Sequence, residues 1–264
     1  MKKRFIELWE KMGASQNPEE EFERVVKLYK NPKRFYHTLN GHIKNCLIEF
    51  DFIKSSIKNP LQIEFSIWYH DVIYDTHSKT NEEDSSNLAY KVCIENNLAK
   101  NFSKKISKLI LFTKHNLEPK DGDTKILLDI DLSRLGKPFE EFNKDSENIR
   151  KEYSWVLEKE YKEDRIKVLK SFLERKNIYY NNFFREKYES QARQNLEKSI
   201  EILSSNLKEN PHYENEEDLP KKKYFEAQER DNGLEAMGWG KHWFELDEDD
   251  DFDRGITPFS HWDE

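Results

Sequence analysis

Two cysteines, Cys46 and Cys93, are all that the 264 residues contain, too few for a disulfide framework or a Cys-rich zinc site. Glycine and proline are scarce as well, at 8 each. With little sustained period-2 alternation, this leaves small room for a turn-rich β architecture. No window approaches the eighteen apolar residues that a membrane-spanning helix needs. Positive charge is not in excess either. Lys+Arg of 44 against Asp+Glu of 52 gives a net charge of -8, which argues against a binder of duplex nucleic acid driven by electrostatics. The N-terminal MKKRFIELWEKMG is too charged, and its apolar run too short, for a secretory signal. These absences together predict a soluble protein of a reducing, cytoplasmic compartment. What the chain has in quantity is large rings: 17 Phe and 12 Tyr supply much buried area per residue and offset a highly charged composition.

Apolar residues recur at helical spacing along most of the chain. Phe5, Leu8, Trp9 and Met12 predict a helix over 1–12, and Pro18 opens a second with Phe22, Val25, Val26 and Tyr29. A third is expected over about 39–57. A fourth, over about 61–74 and opened by Pro60, is nearly all apolar and reads as buried at the centre. Thr80 and Glu83 have the spacing of a capping box for a helix to about 97, and another spans 103–113. The run KILLDIDLSRL (125–135) suits either a short strand or a short helix, and its neighbours favour the helix. Further helices are expected at about 138–163, 165–175 and 181–206. The fold class that results is an all-α bundle over residues 1–207.

Residues 208–264 have a different texture. Seven of the nine residues from Glu245 to Asp253 are acidic, yet Trp239, Trp243, Phe244, Phe259 and Trp262 are interspersed around them. A purely solvating tail has no need of tryptophan. The segment therefore reads as a poorly structured acidic extension with aromatic anchors, docked on the bundle or on a protein partner.

The histidines carry the chemical signal. His70 and Asp71 are adjacent at the end of the apolar helix, and His42 lies early in the preceding one. If the short connection at 58–60 makes these helices antiparallel neighbours, their far ends meet and His42 approaches His70-Asp71. Asp129 and Asp131 are carboxylates in an otherwise apolar run, and an acid there is costly to bury unless it is paired or metal-bound. Both remain candidates by register. Two His and two Asp suit Mn²⁺, Fe²⁺, Co²⁺, Ni²⁺ or Zn²⁺.

The pattern H…HD…D stands within longer blocks: RFYHTLNGHI (34–43), IWYHDVIYDTHSKTNEEDSS (67–86), LILFTKH (109–115), LDIDLSRLG (128–136) and FFREKYESQARQNL (183–196). In this order and spacing they resemble the HD superfamily of metal-dependent phosphohydrolases, and within it a bacterial subfamily of small predicted HD phosphohydrolases. The likeness covers about residues 1–205 and leaves the tail outside it. The segment HDVIYDT is also similar to the HD-x-x-E-D-T segment of alarmone hydrolases. Asp75 matches the second acid there, whereas Tyr74 stands where the Glu would be.

The resemblance implies an HD-type helical domain whose divalent ion, manganese first and Mg²⁺ among the alternatives, is held by His42, His70, Asp71 and Asp131. It implies hydrolysis of a phosphate ester or anhydride, most plausibly of a nucleotide, by metal-activated water. Asp75, Glu82 or Glu83 would serve the water, Arg34 would contact phosphate, and His115 would bind phosphate or a second ion. The partners expected are a small phosphate compound, a protein recruited by the tail and a second copy of the chain. A different class stands beside this one: a nucleotide- or metal-binding module without turnover. Glu189 and Arg193, one turn apart, read as an ordinary ion pair.

Overall fold

The computed structural model describes residues 1–209, and among these every regular element is helical. The expected extension over 208–264, with its acidic run and tryptophans, lies outside the described residues beyond Glu209. In chain order the helices are α1 (Lys2–Met12), α2 (Pro18–Tyr29), α3 (Lys44–Ile53), α4 (Pro60–Tyr69), α5 (Asn81–Glu95) and α6 (Lys100–Phe112). They continue as α7 (Gly122–Leu132), α8 (Phe139–Glu152), α9 (Glu158–Leu173), the short α10 (Asn182–Phe184) and α11 (Ser190–Glu209).

The centre is α4. Ile63, Phe65, Ile67 and Trp68 are fully buried, and the helix touches α1, α3, α5, α6 and α7. Its aromatic side chains interlock with those of α1 and α2. Phe5 meets the edge of Trp68 at 5.1 Å between ring centres, and Trp9 stacks on Phe65 at 6.3 Å. Burial of each such side chain stabilises the fold by about 1.5–3 kcal/mol. Around this centre α5 packs along α6, and α9 along α11.

Several expected boundaries shift, each for a local reason. The helix expected over 39–57 is interrupted at its start: Leu39–Ile43 form a single wide turn before α3 begins. Thr38 Oγ1 accepts from the Gly41 amide at 3.0 Å, and a Cβ on Gly41 would stand 2.6 Å from that oxygen, so the tight entry requires glycine. The helix expected over 61–74 ends at Tyr69 instead, because Arg34 draws the Asp71 and Val72 carbonyls out of the helical ladder (2.6 and 2.9 Å). The capping box does not form. Thr80 Oγ1 donates to Asp84 at 2.9 Å rather than accepting an amide, and Glu83 pairs with Lys114.

The single helix expected over 138–163 is two, α8 and α9, separated at Tyr153–Leu157 without proline or glycine. Arg150 holds the bend by donating to the Tyr153 and Val156 carbonyls (2.6 and 3.0 Å). Helix α9 thus absorbs the separate one expected over 165–175. The stretch 125–135 is helical, as its neighbours suggested.

Candidate metal centre

Three segments meet at one end of the bundle. The wide turn before α3 supplies His42, the residues just past α4 supply His70 and Asp71, and the last turn of α7 supplies Asp131. His42 Nε2 and His70 Nε2 are 3.0 Å apart. Asp131 Oδ1 lies 3.0 Å from the former and 3.5 Å from the latter. Asp71 Oδ2 lies 3.3 and 3.1 Å from the same two nitrogens. Both imidazoles are only 3% exposed, so these charges sit largely out of water.

The atoms facing one another suit a cation. His70 Nδ1–H donates to the Ile67 carbonyl at 3.0 Å. The neutral ring therefore carries its lone pair on Nε2, toward His42 and the two carboxylates. His42, His70 and Asp131 offer ligand atoms that all lie within 4.8 Å of one another and can hold a metal ion. Without one, a proton must do the ion's work. Burial disfavours charge on His70, yet Asp71 and Asp131 outweigh it and hold the imidazole well above its usual value. Burial would likewise raise both carboxyls. The charge of His70, with His37 and His42, instead keeps Asp71 low, while hydrogen bonds from His115, His42 and His70 keep Asp131 low. Burial and the same two carboxylates push the Cys46 thiol up, so beside His42 it packs as a neutral group.

A layer of further residues holds this cluster in place. His115 lies three residues past the end of α6 in a left-handed backbone conformation (φ 58°), and its Nε2 lies 2.8 Å from Asp131 Oδ2. Arg34 lies under Asp71 rather than in the open. Its guanidinium is sandwiched between the Tyr29 and Tyr74 rings and donates to the carbonyls of His37, Asp71 and Val72. Glu82 is half-buried. Burial raises its carboxyl above the ordinary value and the charge of Asp71 adds to this, opposed by its own amide and Lys114. Asp75 is half exposed in the loop beyond, where Oδ1 accepts from the His77 amide at 2.9 Å and lies 3.1 Å from its ring.

The Asp129 alternative goes elsewhere. Its carboxylate accepts from the Tyr180 and Asn181 amides at 2.8 and 2.6 Å. It pins the chain entering α10 and does not face the imidazoles.

Glu152 carries no signal in the sequence. At the end of α8 it looks like a solvated acid, but it is 4% exposed. Oε1 accepts the amides of Phe35, Tyr36 and His37 at 2.7, 2.7 and 3.0 Å, and Oε2 meets His37 Nδ1 at 2.7 Å and the Tyr74 hydroxyl at 3.2 Å. It thereby fixes the segment that leads into His42. No periodicity signals such a partner more than a hundred residues away.

Compared with known proteins, the chain matches no family model, no curated protein and no solved structure. Among the described residues no helix is long and apolar enough to cross a membrane.

Proposed function

We propose that this protein is a metal-dependent phosphohydrolase of the HD type, acting on a phosphate ester or anhydride of a nucleotide. The observation that carries the reading is the convergence of His42 Nε2, His70 Nε2 and oxygens of Asp71 and Asp131 at 3.0–3.5 Å. Two imidazoles and two carboxylates suit Mn²⁺ and equally Fe²⁺ or Co²⁺. When bound, a divalent ion supplies Lewis acidity, which polarises a phosphoryl oxygen and acidifies water.

The remaining work belongs to the chain. Asp71 and Asp131 stay ionised and balance the ion's charge. His115 and Arg34 hold those two aspartates in position, one through a side-chain bond and the other through the backbone. Glu82, whose burial keeps its carboxyl more basic than usual, is the group suited to take a proton from attacking water.

One observation favours the non-catalytic module as a second reading: Tyr74 donates to Glu152, and Asp75 is engaged with His77, so neither supplies a base at the cluster. Phosphate and pyrophosphate release from a nucleotide panel with Mn²⁺, Co²⁺ or Mg²⁺ separates the two. Turnover that disappears in His70→Ala and Asp71→Ala supports the hydrolase. Stoichiometric metal binding with no turnover on any member favours the module.

A further inference from the structure

Charge balance around the cluster leaves a deficit. The two carboxylates neutralise one divalent ion when both imidazoles are neutral, so the charge of an incoming phosphoryl group needs a further cation. Arg34 gives both terminal nitrogens to three carbonyls. Lys114 is engaged by Glu83 and by the Lys79 carbonyl. Arg134, Arg150 and Arg193 are each paired with a carboxylate.

Arg34 Nε is buried without a partner, but both of its terminal nitrogens are taken; in Arg175 it is a terminal nitrogen of the fork that is left over. Arg175 follows the end of α9 and reaches back to the cluster, where Nη2 donates to the His115 carbonyl at 3.0 Å. Its other terminal nitrogen, Nη1, is shut off from solvent and bonds nothing among the described residues. The guanidinium lies 4.6 Å over the Phe172 ring, which also takes the edge of His115 at 6.2 Å between ring centres. The plane of the fork is thus fixed while one of its nitrogens has no acceptor. A buried donor without an acceptor is costly, and more so when it is charged. His115, to which the fork is tied, hydrogen-bonds Asp131 through its own ring, whose Nδ1 is also buried without a partner. Two unmet polar atoms therefore stand on the His115 side of the cluster, and an oxyanion is the complement that a fixed guanidinium binds best.

We propose that Arg175, through Nη1, binds a phosphoryl oxygen of the ligand held at the His42–His70–Asp71–Asp131 cluster. The inference rests on the phosphohydrolase reading for the identity of the anion, but its test does not require turnover. Inorganic phosphate is titrated by calorimetry into the full-length protein supplied with Mg²⁺, for the wild type, Arg175→Gln and Arg175→Lys, and Mn²⁺ affinity is measured on the same three proteins. The expected result is phosphate affinity at least tenfold weaker in Arg175→Gln and partly retained in Arg175→Lys, with Mn²⁺ affinity unchanged in both. A residue that only propped up His115 would weaken Mn²⁺ binding along with phosphate binding. That pattern, equal phosphate affinity in all three proteins, or no phosphate binding by the wild type would overturn the proposal. Arg175-dependent phosphate binding without hydrolysis of any nucleotide would leave it standing and remove the hydrolase reading alone.

Discussion

On one side of α7, Asp129 accepts the Tyr180 and Asn181 amides at 2.8 and 2.6 Å; two residues later, Asp131 meets His42, His70 and His115 at 3.0, 3.5 and 2.8 Å. Burial raises both carboxyls. Two amides do not offset it for Asp129, which is pushed up to about 7, whereas three imidazoles do so for Asp131, which is held well below the usual value. The same division recurs elsewhere. Asp123 accepts the Lys58 and Asn59 amides, Glu189 those of Ile178 and Tyr179, and Glu152 those of Phe35, Tyr36 and His37. Asp71, by contrast, directs Oδ2 at two imidazoles. One set of acids ties irregular chain to helices, and the other faces imidazoles in a cluster that could hold a metal ion. A buried acid is therefore identified by what its oxygens meet, and burial alone does not distinguish the two.

The comparison can be broken most severely at Glu152. Replacing it by Ala leaves three amides and the His37 ring without their acceptor, and the expected loss is about 3–5 kcal/mol in denaturant unfolding. A loss under about 1 kcal/mol would mean that Glu152 does not organise the segment before His42. At Asp129 the change to Ala orphans two amides and should lower stability by about 2 kcal/mol, leaving metal affinity intact. Loss of metal binding there would erase the division between the two faces of α7.

A pH series sharpens the same point. The folded value of Asp129, about 7, lies above the ordinary one of 3.8. Its stabilising contribution is therefore complete below about pH 4 and is lost as pH rises through 7. The raised His70 adds a loss of the same sign, so the informative quantity is the difference between proteins. Unfolding free energy of the metal-free wild type should fall more steeply from pH 5 to 8 than that of Asp129→Asn; parallel curves would contradict the assignment. The smallest effect is expected at Asp75. Ala there should change stability by no more than about 0.5 kcal/mol, because its bonds are made at a half-exposed surface. A larger loss would show that the loop after Asp71 is fixed more firmly than its exposure indicates.

The meeting of His42 with His70 was legible because a short connection makes α3 and α4 antiparallel, and because α4 is apolar enough to occupy the centre. The helical state of α7 was legible from its neighbours. The choice between Asp129 and Asp131 was not: both lie in one apolar run, and only the position of the chain at 180–181 separates them. The bend at Tyr153–Leu157 carries no breaking residue, since Arg150 holds it through side-chain bonds to carbonyls. Arg34 illustrates the converse. Its proximity in sequence to His42 suggested phosphate, while its guanidinium is closed in by tyrosines and carbonyls. Arg175 stands in no motif and carries no sequence signal, because an unpaired nitrogen is a property of packing.

The central claim, that one face of α7 makes a metal site and the other does not, is tested most directly by Mn²⁺ binding to wild type, Asp129→Asn and Asp131→Asn side by side at neutral pH. Both variants remove one carboxylate at nearly constant volume. The account predicts a bound ion in the wild type and in Asp129→Asn, and affinity at least about a hundredfold weaker in Asp131→Asn. No ion in the wild type, or equal weakening in both variants, would contradict it.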